Sequence, residues 1–336
     1  MSLRQIGEFG FIQRIRRGCI VRPQGIIRGI GDDAAAFRAD GRLVCLITTD
    51  MLVERVHFLR EAIGGRDLGH KSLAVNLSDI AAMGGTAREA FVAVAVPDDC
   101  DLPYLDELFE GMKALAGAHA VNILGGDTTR SAADLIITVT VYGVVPENEL
   151  LTRDAARPGD VIFSTGCLGD SRAGLHLILE HTPADTPAFA ALLEAHRRPS
   201  PHLAEGRFLA GRRGVHAAID VSDGLSSDIG HIAEESRVGV RLFADRIPLS
   251  ENLRAYCRRF GRSPLDYALA GGEDYTLLVT AAAEAAEGIA QEFEKIFGRK
   301  LEAIGAITDG RQIELVEPGG RTRPIAPTGW DHFKEC

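Results

Sequence analysis

Residues 122–130 have the sequence Asn122-Ile123-Leu124-Gly125-Gly126-Asp127-Thr128-Thr129-Arg130, in which an apolar run ends at two glycines and polar side chains follow. Paired glycines let backbone N–H groups approach an anion closely. Asp127 and Thr128 offer hard oxygen ligands, which magnesium prefers. A polar turn after a strand fits equally well, because Gly, Asp and Thr are common turn residues. The same design recurs in several other segments, and this recurrence favours a binding site.

The composition is that of an ordinary globular protein, with 46% hydrophobic and 25% charged residues among 336, enough for roughly two domains. No segment has the pattern of a signal peptide or a membrane span, so we expect a cytoplasmic protein without a membrane partner. The 6 cysteines are scattered without a CxxC pair, which indicates neither a zinc site nor a disulfide framework. The net charge of −10 disfavours a nucleic-acid partner, and metal ions would have to mediate any binding of phosphates.

Acidic residues accompany predicted strands in the first half of the chain, after an amphipathic helix predicted over residues 9–20. The segment Gly31-Asp32-Asp33 resembles part of a dinucleotide-binding motif, but the hairpin signal Asp40-Gly41 indicates that a strand follows instead of a helix. The strand predicted over Leu43 to Ile47 ends in Thr48-Thr49-Asp50. These oxygen ligands stand at the carboxyl end of a strand, where α/β sheets bind ligands.

A long helix is predicted over Asp67 to Met83, and its second half is apolar nearly all round. Such a helix is buried. Asn76 and Asp79 are three residues apart and share one face of the helix. An ionised carboxylate on a buried helix needs a cation, which is either a metal ion or Lys71 in a structural salt bridge.

Turn residues near Pro146 to Asn148 predict a boundary between two domains, residues 1–148 and residues 149–336. Beyond it, Arg153 and the glycine turn Gly166 to Ser171 either contact a phosphate or belong to a plain strand-turn-helix connection. The periodicity predicts helices over Leu175 to Leu193 and over residues 202–209.

A second acidic constellation follows the strand predicted over residues 217–221. Alternation along that strand places Asp220 and Ser222 on one face. Asp223 is either a ligand or the N-cap of a helix that begins at Leu225. The segment Gly271-Gly272-Glu273-Asp274-Tyr275 again joins a glycine pair to acids.

The only tryptophan, Trp330, either docks the tail of the chain on the core or stacks on a substrate ring.

The acidic residues make chemical sense together only around divalent cations, because they would otherwise repel one another in one cleft. The candidates are Asp33, Asp50, Asp79, Asp127, Asp220 and Asp223. Ligation by oxygen alone favours magnesium, whose coordination shell is usually completed by phosphate oxygens of the substrate. A nucleoside triphosphate is therefore the expected ligand. The sequence has no P-loop, protein-kinase motif or GxSxG, and no evident general base. This favours phosphoryl transfer to an acceptor that is already anionic, catalysed by positioning and charge neutralisation.

In their order along the chain, these motifs closely resemble those of the thiamine-monophosphate kinase family, within the aminoimidazole-ribonucleotide synthetase-like superfamily. The resemblance spans nearly the whole chain and rests on Gly31-Asp32-Asp33, Thr48-Thr49-Asp50, Val56-His57-Phe58, the stretch from His70 to Asp79, Gly125 to Arg130, Asp220 to Leu225, Gly271 to Tyr275 and Gly329-Trp330.

The resemblance implies an α/β fold of two domains with mixed sheets, a homodimer formed through the N-terminal sheets, and ATP-dependent phosphorylation of thiamine monophosphate to thiamine diphosphate. By position it implies magnesium ligands at Asp33, Thr48, Thr49, Asp50, Asp79, Asp127, Asp220 and Asp223, with Asp50, Asp127 and Asp223 central to catalysis. It implies ATP contacts at Gly126, Asp127, Arg153 and Ser222, and thiamine-monophosphate contacts at His57, Glu273 and Trp330.

The sequence departs from the family pattern at two places. Arg55 stands where the family usually has glycine, and Ala270 replaces the usual serine. Alternative functions are another ATP-using enzyme of the superfamily with a different acceptor, and a nucleotide-binding protein without catalysis. The latter would be free to lose some of the metal carboxylates, and every one is present. Selenophosphate synthetase is disfavoured because no cysteine-rich active loop stands near the N-terminus.

Overall fold

The computed structural model describes residues 24–38, 41–326 and 328–329, together with Gly10 and Ile12. Most of the helix predicted over residues 9–20 and the residue Trp330 lie outside the described residues. The described part contains two mixed β-sheets with helices packed against them. It includes no helix with the length and apolar character that a membrane crossing requires.

The first sheet consists of β1 (Ile26–Arg28), β2 (Ala35–Arg38), β3 (Leu43–Val53), β4 (Thr86–Val96), β5 (Asn122–Arg130) and β6 (Ile136–Pro146). Its spatial order is β1-β2-β3-β6-β4-β5. Strands β2 and β3 pair antiparallel, which confirms that a hairpin follows the first acidic segment. Strand β5 pairs with β4 in parallel and forms an edge.

One face of this sheet is covered by α1 (Gly65–Ala82) and α2 (Leu102–Ala118). The two helices touch through their backbones, because a Cβ added at Gly69 would lie 1.8 Å from the Leu108 carbonyl oxygen. Helix α1 is buried over nearly its whole circumference, as the sequence predicts. This packing holds α1 in a fixed position against β3, and α1 carries Asn76 and Asp79.

The opposite face of the first sheet is open in the single chain. Its exposed apolar side chains include Met51 at 55%, Phe91 at 44% and Leu43 at 44% exposure. Residues of β6 on the core face, such as Val139, are fully buried, whereas their neighbours on the open face are half-buried. The sheet therefore presents a second apolar surface that no described element of this chain covers.

The second sheet consists of β7 (Val161–Ser164), β8 (Val215–Asp220), β9 (Gly239–Phe243), β10 (Leu277–Ala281), β11 (Glu302–Thr308), β12 (Ile313–Val316) and β13 (Thr322–Pro324). Its order is β13-β12-β9-β11-β7-β10-β8. The helices in this half are α3 (Asp170–Leu179), α4 (Pro187–Arg197), α5 (Leu203–Ala210), α6 (Leu225–Ser236), α7 (Glu251–Phe260), α8 (Pro264–Ala270) and α9 (Ala283–Phe297).

The prediction of a single helix over Leu175 to Leu193 is wrong, because the structure has two helices there, α3 and α4. The Thr186 hydroxyl accepts a hydrogen bond from the Phe189 backbone N–H at 3.2 Å and caps α4. Pro187 follows this cap at the first helical position. Proline is tolerated there, but it would break a helix that continued through this point from α3.

The two halves meet where α1 packs against α5 and β8. A Cβ at Gly206 of α5 would lie 2.2 Å from the Ala81 carbonyl oxygen, so only glycine allows this approach. Nearby, the Ser78 hydroxyl of α1 donates to the Asp220 carboxylate of β8 at 2.6 Å. The junction therefore brings acidic residues of both halves to one place.

Candidate active site

Three carboxylates from separate elements form a compact cluster. Asp33 precedes β2, Asp79 lies in the last turn of α1, and Asp220 ends β8. One oxygen of each lies within 4.8 Å of the others. The structure thus brings together three of the acids that are predicted to share a site, and the packing of α1 between the two sheets explains their proximity.

Asp50 of β3 stands beside this cluster and points toward α1. Its backbone N–H donates to the Asn76 side-chain oxygen at 3.2 Å, and the Asn76 amide in turn donates to the Ser72 carbonyl. Thr48, on the same face of β3, donates its hydroxyl to Asp79. Asn76 therefore supports the site as a hydrogen-bonding group between α1 and β3.

The electrostatics of the cluster disfavour its ionised form. Burial, and then the charge of Asp33, raise the pKa of Asp50 to about 6. Burial first, and the neighbouring acids second, raise the pKa of Asp79 well above its ordinary value. The pKa of Asp220 is likewise raised by burial and by Asp33. Close carboxylates that are this costly to ionise favour binding of a multivalent cation.

Among the described residues, Arg153 is the only cation within ion-pair distance of Asp33, at 2.5 Å. It also lies 3.7 Å from Asp32, whose pKa burial and Asp33 raise to about 7. One guanidinium cannot balance Asp33, Asp50, Asp79 and Asp220 together. The remaining negative charge and the oxygen-only donors fit magnesium.

A second group contains Asp223, Asp228 and His231, with one ligand atom of each within 4.8 Å of the others. The Asp228 carboxylate accepts hydrogen bonds from the backbone N–H groups of Asp223 at 3.2 Å and Gly224 at 2.9 Å. Helix α6 begins after Gly224 without a side-chain cap, so the N-cap interpretation of Asp223 is wrong. Asp228 and His231 are not among the predicted ligands, although their spacing of three places them on one helix face.

The glycine pair before Glu273 serves close packing. A Cβ at Gly272 would lie 2.4 Å from the Ser222 carbonyl oxygen, and the Glu273 N–H donates to that oxygen at 2.7 Å. Glu273 and Tyr275 have left-handed backbone angles, with φ of 62° and 51°. This loop therefore packs against, and is hydrogen-bonded to, the segment that carries Asp220 and Asp223.

The Glu273 carboxylate lies between Lys71 Nζ at 2.8 Å and His196 Nδ1 at 3.2 Å. Burial alone would raise the pKa of Glu273, but Lys71 and then His196 lower it below its ordinary value. The alternative that Lys71 balances Asp79 is wrong, because Lys71 pairs with Glu273 instead. His57 contributes to the field at Glu273, and its Nδ1 accepts from the Val53 N–H at 3.0 Å.

The glycine turn before α3 follows the plain connection and not the phosphate alternative. The Asp274 carboxylate accepts from the backbone N–H groups of Gly169 at 2.6 Å and Ser171 at 3.3 Å. The amino end of α3 is therefore occupied by a carboxylate of the protein itself.

Two predicted ligands lie on the other face of the first sheet. The Thr49 hydroxyl accepts from the Thr140 hydroxyl at 3.0 Å, donates to the Val139 carbonyl at 3.2 Å and is directed away from Asp50. Asp127 is exposed on the edge strand β5, which continues through the glycine pair to Arg130. Strand β5 is three strand positions from β3, or roughly 14 Å at about 4.8 Å per strand. A single chain therefore does not bring Asp127 to the cluster.

Gly126 explains why the strand does not stop at residue 125. Its φ is 154°, and a Cβ there would lie 1.7 Å from the Val92 carbonyl oxygen. Glycine thus allows β5 to remain paired with β4 where any side chain would separate them. The apolar run ends at Leu124, but for this reason the strand continues to Arg130.

The chain matches two family descriptions in sequence. The AIR synthase related protein N-terminal domain matches residues 31–145, and the C-terminal domain of the same family matches residues 157–317. These two matches span most of the chain, which belongs to the AIR synthase related proteins.

Full-length relatives define the family more narrowly. The thiamine-monophosphate kinase of Aquifex aeolicus (strain VF5) is 34% identical over 333 residues, which cover 99% of this chain and 100% of the relative. That of Escherichia coli (strain K12) is 36% identical over 97% of this chain and 98% of the relative. A structure of AaThiL complexed with AMPPCP and TMP has a TM-score of 0.87 at 33% identity, covering 99% of both chains. The chain belongs to the thiamine-monophosphate kinase family.

We predict that Asp50→Asn stabilises the metal-free protein. With a pKa of about 6, above its unfolded value of about 3.9, Asp50 lowers folding stability as pH rises between those values. The variant should therefore match the wild type near pH 4 and exceed it by about 1–3 kcal/mol near pH 8. Denaturant unfolding in a chelator measures this difference. The exposed Glu61→Gln is the control and should show no gain; an equal gain in both variants would contradict the account.

Arg55 adopts a left-handed φ of 65°, the conformation that glycine favours. Its ion pair with Asp134 leaves the Arg55 side chain 65% exposed, and such exposed pairs contribute little. We therefore expect Arg55→Gly to lower the free energy of unfolding less than an ordinary Arg→Gly change, with a difference from the wild type within about 1 kcal/mol. Arg60→Gly is the contrasting variant, since Arg60 is 19% exposed and pairs with Glu54. Equal losses in thermal unfolding would exclude backbone strain at residue 55.

Proposed function

We propose that this chain transfers the γ-phosphoryl group of ATP to thiamine monophosphate and forms thiamine diphosphate and ADP. The observation that carries the proposal is the cluster of Asp33, Asp79 and Asp220 beside Asp50. Support comes from the kinases named above and from AaThiL, whose structure contains AMPPCP, an ATP analogue, with TMP.

The residues that would hold magnesium are Asp33, Asp50, Asp79 and Asp220, with Thr48 as a further oxygen donor. Asp223 would hold a cation at the neighbouring group that includes Asp228 and His231. Magnesium bound there would neutralise phosphate charge and polarise the phosphoryl group. Arg153 lies at the same edge of the cluster, where its guanidinium is placed to contact a phosphate of ATP.

The chemistry needs no general base in this site. The acceptor is a phosphate monoester whose oxygen is already anionic, so it attacks the γ-phosphorus without losing a proton. One O–P bond forms as the bond from the γ-phosphorus to the β,γ-bridging oxygen breaks, and ADP carries the electron pair away. The fixed positions of α1, β3 and β8 hold the two substrates in line, and Glu273 and His57 orient the acceptor.

The direct test is incubation of the purified protein with ATP, magnesium and thiamine monophosphate, followed by separation of thiamine species by chromatography. Free thiamine and aminoimidazole ribonucleotide precursors serve as parallel acceptors. We expect thiamine diphosphate from the monophosphate alone, and loss of at least about a hundredfold in rate with Asp79→Asn. Turnover of another acceptor alone would refute the proposed substrate, and ATP binding without turnover would favour the binding-only alternative.

We further propose that two copies pair through the open face of the first sheet. Apolar residues such as Met51 and Phe91 are exposed there, and the register aligns Met51, Thr138, Ala93 and Asp127 in one row across the sheet. Thr49 lies on the same face. Pairing would thus bring Asp127 of one copy toward the site of the other. Asp127 could then contribute to a metal site that it does not reach within a single chain.

We predict that Met51→Glu converts the dimer to a monomer, because it buries a charge in the proposed interface. Asp127→Asn should leave the dimer intact but reduce activity by about tenfold or more, as expected for a lost metal ligand. Analytical ultracentrifugation and the kinase assay measure the two effects. Glu61, which is exposed and lies in the segment between β3 and α1, provides the control Glu61→Gln. A monomeric wild type with full activity would refute the interface.

A further inference from the structure

A buried ion pair joins the two halves of the chain beside the acidic cleft. Lys71 lies on α1 and its side chain is 1% exposed, whereas its partner Glu273, on the loop before β10, is 28% exposed. On the other side, His196 of α4 is 6% exposed and contacts the second Glu273 oxygen. The carboxylate is thus the solvent-facing end of a group whose other members are enclosed.

The burial of Lys71 demands an explanation, because an enclosed ammonium loses several kcal/mol of hydration unless a partner compensates it. Among the described residues, Glu273 is its only acidic partner within ion-pair distance. The contact does not meet hydrogen-bond geometry at Nζ, so attraction between the charges joins the pair more than a directional bond does. Lys71 is therefore placed to fix the charge of Glu273.

The pair lies at a defined distance from the carboxylate cluster. Lys71 and Asp79 are on the same helix, eight residues apart, which corresponds to about 12 Å along the axis at roughly 1.5 Å per residue. The pair and the cluster are thus separated by about two turns of α1, and the phosphate of the acceptor is expected at the cluster end. With the phosphate at the acidic cluster, Glu273 would meet the ring end of the acceptor, which carries a cationic thiazolium and an amine.

We infer that Lys71 is a positioning residue that holds the Glu273 carboxylate ionised and oriented toward the cationic, amine-bearing ring end of the acceptor. The inference rests on the proposed function. His196 contacts the second carboxylate oxygen as a neutral ring, since burial and Lys71 lower its pKa to about 3. Lys71 is consequently the source of positive charge that keeps Glu273 from being neutralised by burial.

The charged and titratable groups around Glu273 come from several elements. They are Lys71 on α1, His196 on α4, His57 in the segment after β3, and Asp274 and Tyr275 on its own loop. Asp274 is half-buried and accepts two backbone hydrogen bonds, and desolvation raises its pKa and that of Tyr275 well above their ordinary values. Removal of Lys71 would therefore leave burial as the dominant effect on Glu273.

The test compares Lys71→Met, Glu273→Gln and the double variant with the wild type in steady-state kinetics from about pH 5.5 to pH 9. We expect Lys71→Met to raise KM for thiamine monophosphate by about tenfold or more near pH 6 and by less near pH 9, because the raised pKa of Glu273 is then exceeded. The KM for ATP should stay unchanged. The double variant, which has no carboxylate at residue 273, should lose this pH dependence.

Thermal unfolding provides a readout independent of turnover. Lys71→Met leaves a carboxylate without its cation, so it should lose stability relative to the double variant as pH rises. A pH-independent difference between the two, or a KM for thiamine monophosphate equal to that of the wild type, would overturn the positioning role. An inactive wild type would instead overturn the proposed function, and the positioning role with it, so the two failures are distinguishable.

Discussion

The gathering of carboxylates at the junction of the two halves is the constraint on which the rest of the structure depends. Asp33, Asp79 and Asp220 come from three elements and cannot approach one another unless α1 is held between the sheets. That packing uses glycines at the contacts of α1 with α2 and α5. Holding these repelling groups together lowers folding stability. Such an arrangement is characteristic of a site that binds a multivalent cation.

The loops around the cluster make the second layer of the site. Glu273, held in a left-handed conformation, ties its loop to the segment that carries Asp220 and Asp223. The same loop places Asp274 at the amino end of α3 and Glu273 beside Lys71. This short motif therefore contacts the amino end of α3, the buried Lys71 and the segment of the acidic cluster. Its glycines allow close packing, and its two acids make the polar contacts.

Much of this could be predicted from the sequence, because local signals and the final structure agree for α1, for the hairpin of β2 and β3, and for the acids at strand ends. The errors have physical causes. Strand β5 runs through Gly126 because glycine allows contact with Val92, and Asp228 replaces Asp223 as the acceptor at the start of α6. The partner of Lys71 could not be predicted, because it lies far away in sequence and is brought close only by the packing of the two halves. Helices α7 and α8 were not predicted: α7 is rich in charged residues, and α8 has only 7 residues.

The most direct measurement of the central claim is the thermal unfolding midpoint of the protein as magnesium is added, for the wild type and for Asp79→Asn. If the carboxylate cluster is a cation site, the midpoint of the wild type rises with the logarithm of the magnesium concentration, as binding to the folded state requires. The variant should start from an equal or higher midpoint and respond much less. An equal response of both proteins, or none in the wild type, would contradict the assignment of the cluster as the metal site.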